Sequence, residues 1–144
     1  MTGPGAMPTS YPEFGPLARH LRFIERSSRR LARQTFYAMV RWQARLEKRQ
    51  AFLGRIVDIG AELFAIASAA TYAQTIRDEV PAQGDEAREL ADLFCKQAER
   101  RVGTLFAALW GNEDSDNYAL AQQVLEGRYA FIEEGIADPA DRAG

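Results

Sequence analysis

Apolar residues recur along most of this chain at spacings of three and four, the interval that lines one face of an α-helix. Leu31, Thr35, Ala38, Trp42 and Leu46 form the first stripe, widened by Phe36, Met39 and Val40. Arg29, Arg30, Arg33, Arg41, Arg45, Lys48 and Arg49 fill much of the remaining surface. The pattern predicts a first helix over about residues 17–50, with Ser27-Ser28 the place for any break. A second helix is predicted over about residues 52–77. Leu53, Ile56, Gly60, Leu63, Ala67 and Ala70 make one seam, and Phe52, Ile59 and Ile66 make another at heptad-like spacing. Two apolar lines predict a central helix buried between neighbours, with Gly60 and the alanines admitting a close approach.

Pro81 and Gly84 mark a helix stop and a turn. Asp85 is the expected N-cap of a third helix over about 86–110, with Glu86 and Glu89 favourable in its first turn. Its expected seam is Leu90, Phe94, Ala98, Val102, Leu105 and Leu109. Gly111 ends it, and residues 112–116 form a polar loop whose Asp116 should cap a shorter fourth helix over 117–127. Tyr118, Ala121 and Leu125 should face inward there. Tyr129, Phe131, Ile132 and Ile136 continue as an apolar tail expected to dock on the bundle. Short connections make sequential helices antiparallel. The expected fold is therefore all-α: an antiparallel helical bundle of three long helices plus a shorter fourth. Residues 1–16 hold Gly3, Pro4, Gly5, Pro8, Pro12, Gly15 and Pro16, and read as a flexible linker, the kind of segment in which domain boundaries fall. The bundle domain is expected over 17–137 and a frayed tail over 138–144.

Composition agrees with helices, being rich in Ala, Glu, Gln, Arg and Leu. A length of 144 residues suits one domain with one core. One cysteine and one histidine exclude an intrachain disulfide and argue against a structural zinc. A lone thiol fits a reducing compartment, and residues 1–16 lack the charged-then-apolar order of a signal peptide, so a cytoplasmic location is expected. The most apolar window, residues 56–73, contains Asp58 and Glu62 and reads as a buried helix rather than a membrane span. The net charge of -2 conceals an asymmetry. Residues 1–55 carry 11 Lys+Arg against 3 Asp+Glu, and residues 56–144 carry 7 against 17.

Candidate chemistry is sparse. The run Asn112-Glu113-Asp114-Ser115-Asp116-Asn117 begins like a calcium loop, but Asn117 stands where that loop needs Gly and Gln123 where it needs Glu. His20 has no nucleophile or carboxylate tied to it by sequence and reads as a surface histidine near a helix start. Cys95 reads as a helix-packing thiol. The pairs Glu133-Glu134 and Asp114-Asp116 read as solvated. No phosphate-binding or dinucleotide-binding glycine motif and no nucleophile elbow occurs.

The basic run is the one candidate binding feature. Arg41, Arg45, Lys48 and Arg49, with Tyr37 and Trp42 interleaved, form a candidate interface that could face an interdomain surface, an anionic membrane or phosphates. No second, reading helix accompanies it, so nucleic acid is not the expected partner. A solvated or interdomain face, paired with acidic helix three, is the favoured reading. A stand-alone helical module binding an anionic surface is the alternative.

Three blocks carry a resemblance. They are Leu46-Glu47-Lys48-Arg49-Gln50-Ala51-Phe52-Leu53-Gly54-Arg55-Ile56-Val57-Asp58-Ile59-Gly60-Ala61-Glu62-Leu63-Phe64-Ala65, then Ala91-Asp92-Leu93-Phe94-Cys95-Lys96-Gln97-Ala98, then Leu109-Trp110-Gly111-Asn112. The last is followed by Tyr118 and by Leu125-Glu126-Gly127-Arg128-Tyr129. In order and spacing these resemble the C-terminal helical extension of large acyl-CoA dehydrogenases, of the very-long-chain type and closest to bacterial, actinobacterial-like members. The resemblance implies a parent enzyme that holds FAD and oxidises acyl-CoA thioesters to trans-2-enoyl products in fatty-acid β-oxidation. A glutamate base and the flavin sit in a core upstream of the extension. No residue of this chain matches those core motifs, so no catalytic, cofactor-binding or metal residue is carried over. The implied partners are the dehydrogenase core or a second subunit of a homo-oligomer, with peripheral membrane contact in the very-long-chain branch.

Overall fold

The computed structural model describes residues 10–133. It is helical throughout, and no strand occurs among the described residues, as the periodicity predicts. The long helices are α1 (Ala18–Trp42), α2 (Gln50–Glu79) and α3 (Gly84–Ala108). A shorter α4 (Asp114–Leu125) and a single turn, α5 (Ala130–Glu133), follow. The chain divides into two compact units, residues 1–110 and 111–144.

Within the first unit, Leu17 packs with Ala70 and Ala73, while the Trp42 ring lies 4.9 Å from that of Phe52. The start of α1 therefore meets the end of α2, and the two run antiparallel. Cys95 meets Ile66 and Arg101 meets Glu62, so α3 is antiparallel to α2 as well. The main core comprises Ala38 from α1, Phe52, Ile59, Leu63 and Ile66 from α2, and Cys95, Ala98, Val102 and Phe106 from α3, closed by Leu109. α2 is the central helix, and both of its predicted seams face this core or its margins.

Several expectations are corrected. α1 is unbroken at Ser27-Ser28, where Ser27 is buried, and it stops at Trp42 instead of running to residue 50. Gln43 takes a left-handed φ of 45°, which ends the α-helix, and residues 43–48 continue as a 3-10 turn. Phe36, Met39 and Val40 lie on the exposed side of α1. The inward seam of α3 begins with Ala91 and Cys95, while Leu90 is 73% exposed and Phe94 is also exposed. Small residues face the small Ala70 and Ala73 of α2 at that end, and the larger ones are turned out by one position. Gly60 does not mark a close approach, since a Cβ there would meet nothing within 4 Å. The close approach is at Gly84, where a Cβ would lie 2.9 Å from Arg77 Cγ and 3.1 Å from Arg77 Cα. α3 starts at that glycine, so Asp85 sits in its first turn and not at its cap.

In the second unit α4 starts at Asp114, three residues earlier than expected, and Asp116 lies inside its first turn. Glu113 takes the N-cap position without a side-chain cap bond, and Asn112 Oδ1 accepts the Asp114 N–H at 3.1 Å just before the helix. Gly127, with φ of 77°, ends the segment, and the Arg128 N–H returns to Gln123 O at 3.1 Å. Tyr118 and Leu125, expected to face inward, are exposed, as are Phe131 and Ile132. Glu134, Ile136 and the segment from Pro139 onward lie outside the described residues.

Candidate interaction surface

The four candidate interface residues do not share one helix face. Arg41 closes α1, Arg45 and Lys48 lie on the 3-10 turn, and Arg49 precedes α2. All four are exposed. The Arg49 guanidinium stands 5.3 Å over the Trp42 ring, and that of Arg30 stands 4.2 Å over Phe106. Among the described residues no ion pair joins Arg29, Arg33, Arg41, Arg45 or Lys48 to a carboxylate, so this run does not pair with acidic α3. The turn that breaks the helix instead builds an aromatic cluster. Trp42, Phe52 and Trp110 lie with ring centroids 4.9–5.3 Å apart, and Trp110 Nε1 donates to Gln34 Oε1 at 2.6 Å. This cluster ties the end of α1, the start of α2 and the end of α3 together.

The pairing of basic α1 with acidic α3 occurs at the other end, through residues that sequence reasoning missed. His20 is 1% exposed, not a surface residue. Its Nδ1 lies 2.6 Å from Glu99 Oε1 and its Nε2 lies 2.9 Å from Asp92 Oδ1. Carboxylates only accept, so the ring donates both bonds only as imidazolium. Arg19 Nε also lies 3.4 Å from His20 Nε2, but the Asp92 bond is the shorter and carries the geometry. Arg19 pairs with Asp92 as well, and Lys96 Nζ completes the cluster 2.7 Å from Asp92 Oδ2. Burial alone would raise Asp92, but hydrogen bonds from Lys96, His20 and Arg19 outweigh it and hold the carboxyl well below the usual carboxylate range.

Cys95 lies between these carboxylates on α3, fully buried, with Sγ 3.8 Å from Ile66 O. Burial, then the fields of Glu99 and Asp92, push its thiol up to about 11, which suits packing and not nucleophilic attack. Among the described residues no cluster of His, Cys, Asp and Glu could hold a metal ion. Asp114, Asp116 and Asn117 are already helical, so the calcium-like loop has no loop to offer.

The remaining feature is apolar. An open groove of about 750 Å³ runs between α2 and α3, with Ala61, Ala65, Phe94 and Leu105 on its walls. A two-bond ion pair from Arg101 to Glu62, at 2.6 and 2.9 Å, bridges the two helices beside it. Val57, Phe64 and Tyr72 stand exposed along α2, and Leu90 and Leu93 along α3. No helix among the described residues is long and apolar enough to cross a membrane. The groove offers packing area, and the Arg101–Glu62 pair holds the two helices together beside it.

No protein-family profile and no solved structure matches the chain. It is, however, 60% identical over 142 residues to the probable acyl-CoA dehydrogenase FadE10 of Mycobacterium bovis, and equally to that of Mycobacterium tuberculosis H37Rv. The match covers 99% of this chain and falls in the C-terminal part of those relatives. The chain is thus similar to the C-terminal part of these probable acyl-CoA dehydrogenases. It spans 22% of the relatives' length. The blocks that carried the resemblance are packing elements. Ala91–Ala98 supplies Asp92 and Cys95, and Leu109–Asn112 supplies Leu109, Trp110 and the Asn112 oxygen that accepts the Asp114 N–H.

Proposed function

We propose that this chain serves as the non-catalytic C-terminal helical domain of an FAD-dependent acyl-CoA dehydrogenase of fatty-acid β-oxidation. The helical domain extends over residues 17–137. It is preceded by the 3-10 turn Pro12–Leu17, whose Phe14 packs against Leu17, Ala70, Ala73 and Ala91, so that residues 12–16 are part of the packed unit and not of a flexible linker. It contributes packing surface to the dehydrogenase core or to a second subunit of a cytoplasmic homo-oligomer, and the chemistry resides in that core. The supporting observation is 60% identity along nearly the whole chain to one end of enzymes several times its length. The exposed apolar groove between α2 and α3 suits such packing. The coding DNA upstream of Met1 tests the reading. A continuous frame encoding a flavin-binding core is the expected result, and a stop codon with its own ribosome-binding site overturns it.

A second reading draws on the exposure of Arg41, Arg45 and Lys48 without carboxylate partners among the described residues. These residues, with Arg49, would hold an anionic membrane surface peripherally. Replacing all four with Ala should then abolish binding to anionic liposomes at low salt, and unchanged binding removes this reading.

A further inference from the structure

His20 is buried near the start of α1 with a carboxylate of α3 on each ring nitrogen. Histidine is the side chain whose charge ordinarily changes between about pH 5 and 8. A ring held between two acceptors is held by its protons, and loss of one leaves a lone pair facing an anion. That lone pair needs a donor, and the two nitrogens differ in what they can reach. Nδ1 lies 2.6 Å from Glu99 Oε1, and no donor among the described residues is within hydrogen-bond distance of it. Nε2 lies 2.9 Å from Asp92 Oδ1 and also 3.4 Å from Arg19 Nε, a group that only donates. A neutral ring therefore satisfies both nitrogens in one way. Nδ1–H stays on Glu99, and Nε2 stops donating to Asp92 and accepts the Arg19 Nε–H. Arg19 Nη2 already pairs with Asp92, so one guanidinium touches both parties to the exchange. Asp92 also keeps Lys96 Nζ at 2.7 Å, on its own helix, and does not go unpaired.

The remaining groups around the ring leave this exchange to His20. On α3, Cys95 stands between the two carboxylates, and burial first of all pushes its thiol up to about 11. The stretch of α2 at this level, residues 63–76, packs with Leu17 and Cys95 and carries no Asp, Glu, Lys, Arg or His, while its Tyr72 is exposed. Ahead of α1, Glu13 is exposed and Tyr11 donates its hydroxyl proton to Glu25 at 2.6 Å. We propose that His20 is a pH-responsive clasp between α1 and α3, in which loss or gain of one ring proton exchanges the Nε2 partner between Arg19 and Asp92. Charged, the ring ties both carboxylates of α3 to the start of α1. Neutral, it holds Glu99 alone, and its second bond stays within α1. The proton that leaves is the one on Nε2, and Asp92, about a quarter exposed, leads it to water. The clasp is thus fastened at two points at lower pH and at one at higher pH. It stands on this cluster and does not depend on the dehydrogenase reading.

Nitrogen-15 NMR of the imidazole in the whole chain tests it, since a single histidine gives unambiguous ring signals. At the acidic end of the folded range both nitrogens should carry protons. As pH rises, Nε2 should lose its proton while Nδ1 keeps its own, the reverse of the tautomer that a free histidine prefers. Asp92→Asn removes the acceptor on Nε2 and should move the change to lower pH by about one unit or more. Arg19→Ala removes the donor to the neutral ring and should move it to higher pH. Amide protection at residues 20–24, corrected for base catalysis, should fall roughly two- to tenfold across the same step. Helical circular dichroism reports folding, and the wild-type tautomer decides the matter without either variant. A ring that is neutral throughout overturns the proposal, as does a high-pH tautomer with the proton on Nε2. Shifts of one sign in Asp92→Asn and Arg19→Ala overturn the partner exchange. Protection that is unchanged while the ring titrates overturns the clasp.

Discussion

Replacing His20 with Ala removes the one side chain that bridges two carboxylates of α3 to α1. The imidazole is 1% exposed and makes two short contacts, at 2.6 Å to Glu99 and 2.9 Å to Asp92. A hydrogen bond to a charged group contributes about 1.5–3 kcal/mol to stability. Glu99 and Asp92 are about a quarter exposed, so water can reclaim part of that, and Arg19 and Lys96 still hold Asp92. The void left by the ring adds a packing loss. The expected sum is roughly 2–4 kcal/mol, taken as the fall in unfolding free energy at neutral pH. Urea denaturation followed by helical circular dichroism measures it, and the m-value should stay unchanged. For a unit of this size the melting temperature should drop by roughly 10 °C or more. A loss below about 0.5 kcal/mol, the range of an ordinary surface substitution, refutes the buried bridge.

Asp92 provides a pH test with a definite sign. Its folded carboxyl lies below its unfolded value, so its contribution is present above about pH 4 and is lost as pH falls through the folded value. Asp92→Asn should lower stability at neutral pH and flatten the acid limb of the stability curve below about pH 4, and an unchanged acid limb contradicts the assignment. Gly84→Ala should destabilise by roughly 1–3 kcal/mol because its Cβ meets the Arg77 backbone and stem, whereas Gly60→Ala, mid-helix with open space, should stabilise by roughly 0.5–1 kcal/mol. Equal effects at the two glycines in chemical denaturation would count against the helix contacts drawn here. Cys95, buried with its thiol pushed up to about 11, should react with a chromogenic disulfide orders of magnitude more slowly in native buffer than in denaturant, and rapid native labelling contradicts its burial.

The long helices were legible because their apolar periodicity is local. α2 shows this best, since Phe52, Ile59 and Ile66 and the Leu63–Ala70 seam all reach the core or its margin. The end of α1 was not legible, because it depends on the left-handed turn at Gln43 and on Trp42 meeting Trp110, a contact remote in sequence. The α3 seam was ambiguous by construction. Leu90 with Phe94 and Ala91 with Cys95 both satisfy the four-residue interval, and only the small residues of α2 decide between them. His20 was misplaced because its partners lie 72 and 79 residues away. One signal was available: Asp92 and Glu99 are seven apart, so both fall on one face of α3, and two carboxylates beside a packing cysteine call for a cation. Helical periodicity places the basic run 41–49 on the first helix, and the intervening turn dissolves that face.

The most direct measurement of the central claim is binding of this chain to the 60%-identical mycobacterial dehydrogenase from which the matching C-terminal part has been deleted. Calorimetry and flavin absorbance on the mixed proteins should show a stable complex with one chain per core and a flavin-loaded core more resistant to heat than the deleted enzyme alone. No complex and an unaltered core would contradict the assignment of this chain as a dehydrogenase's C-terminal domain.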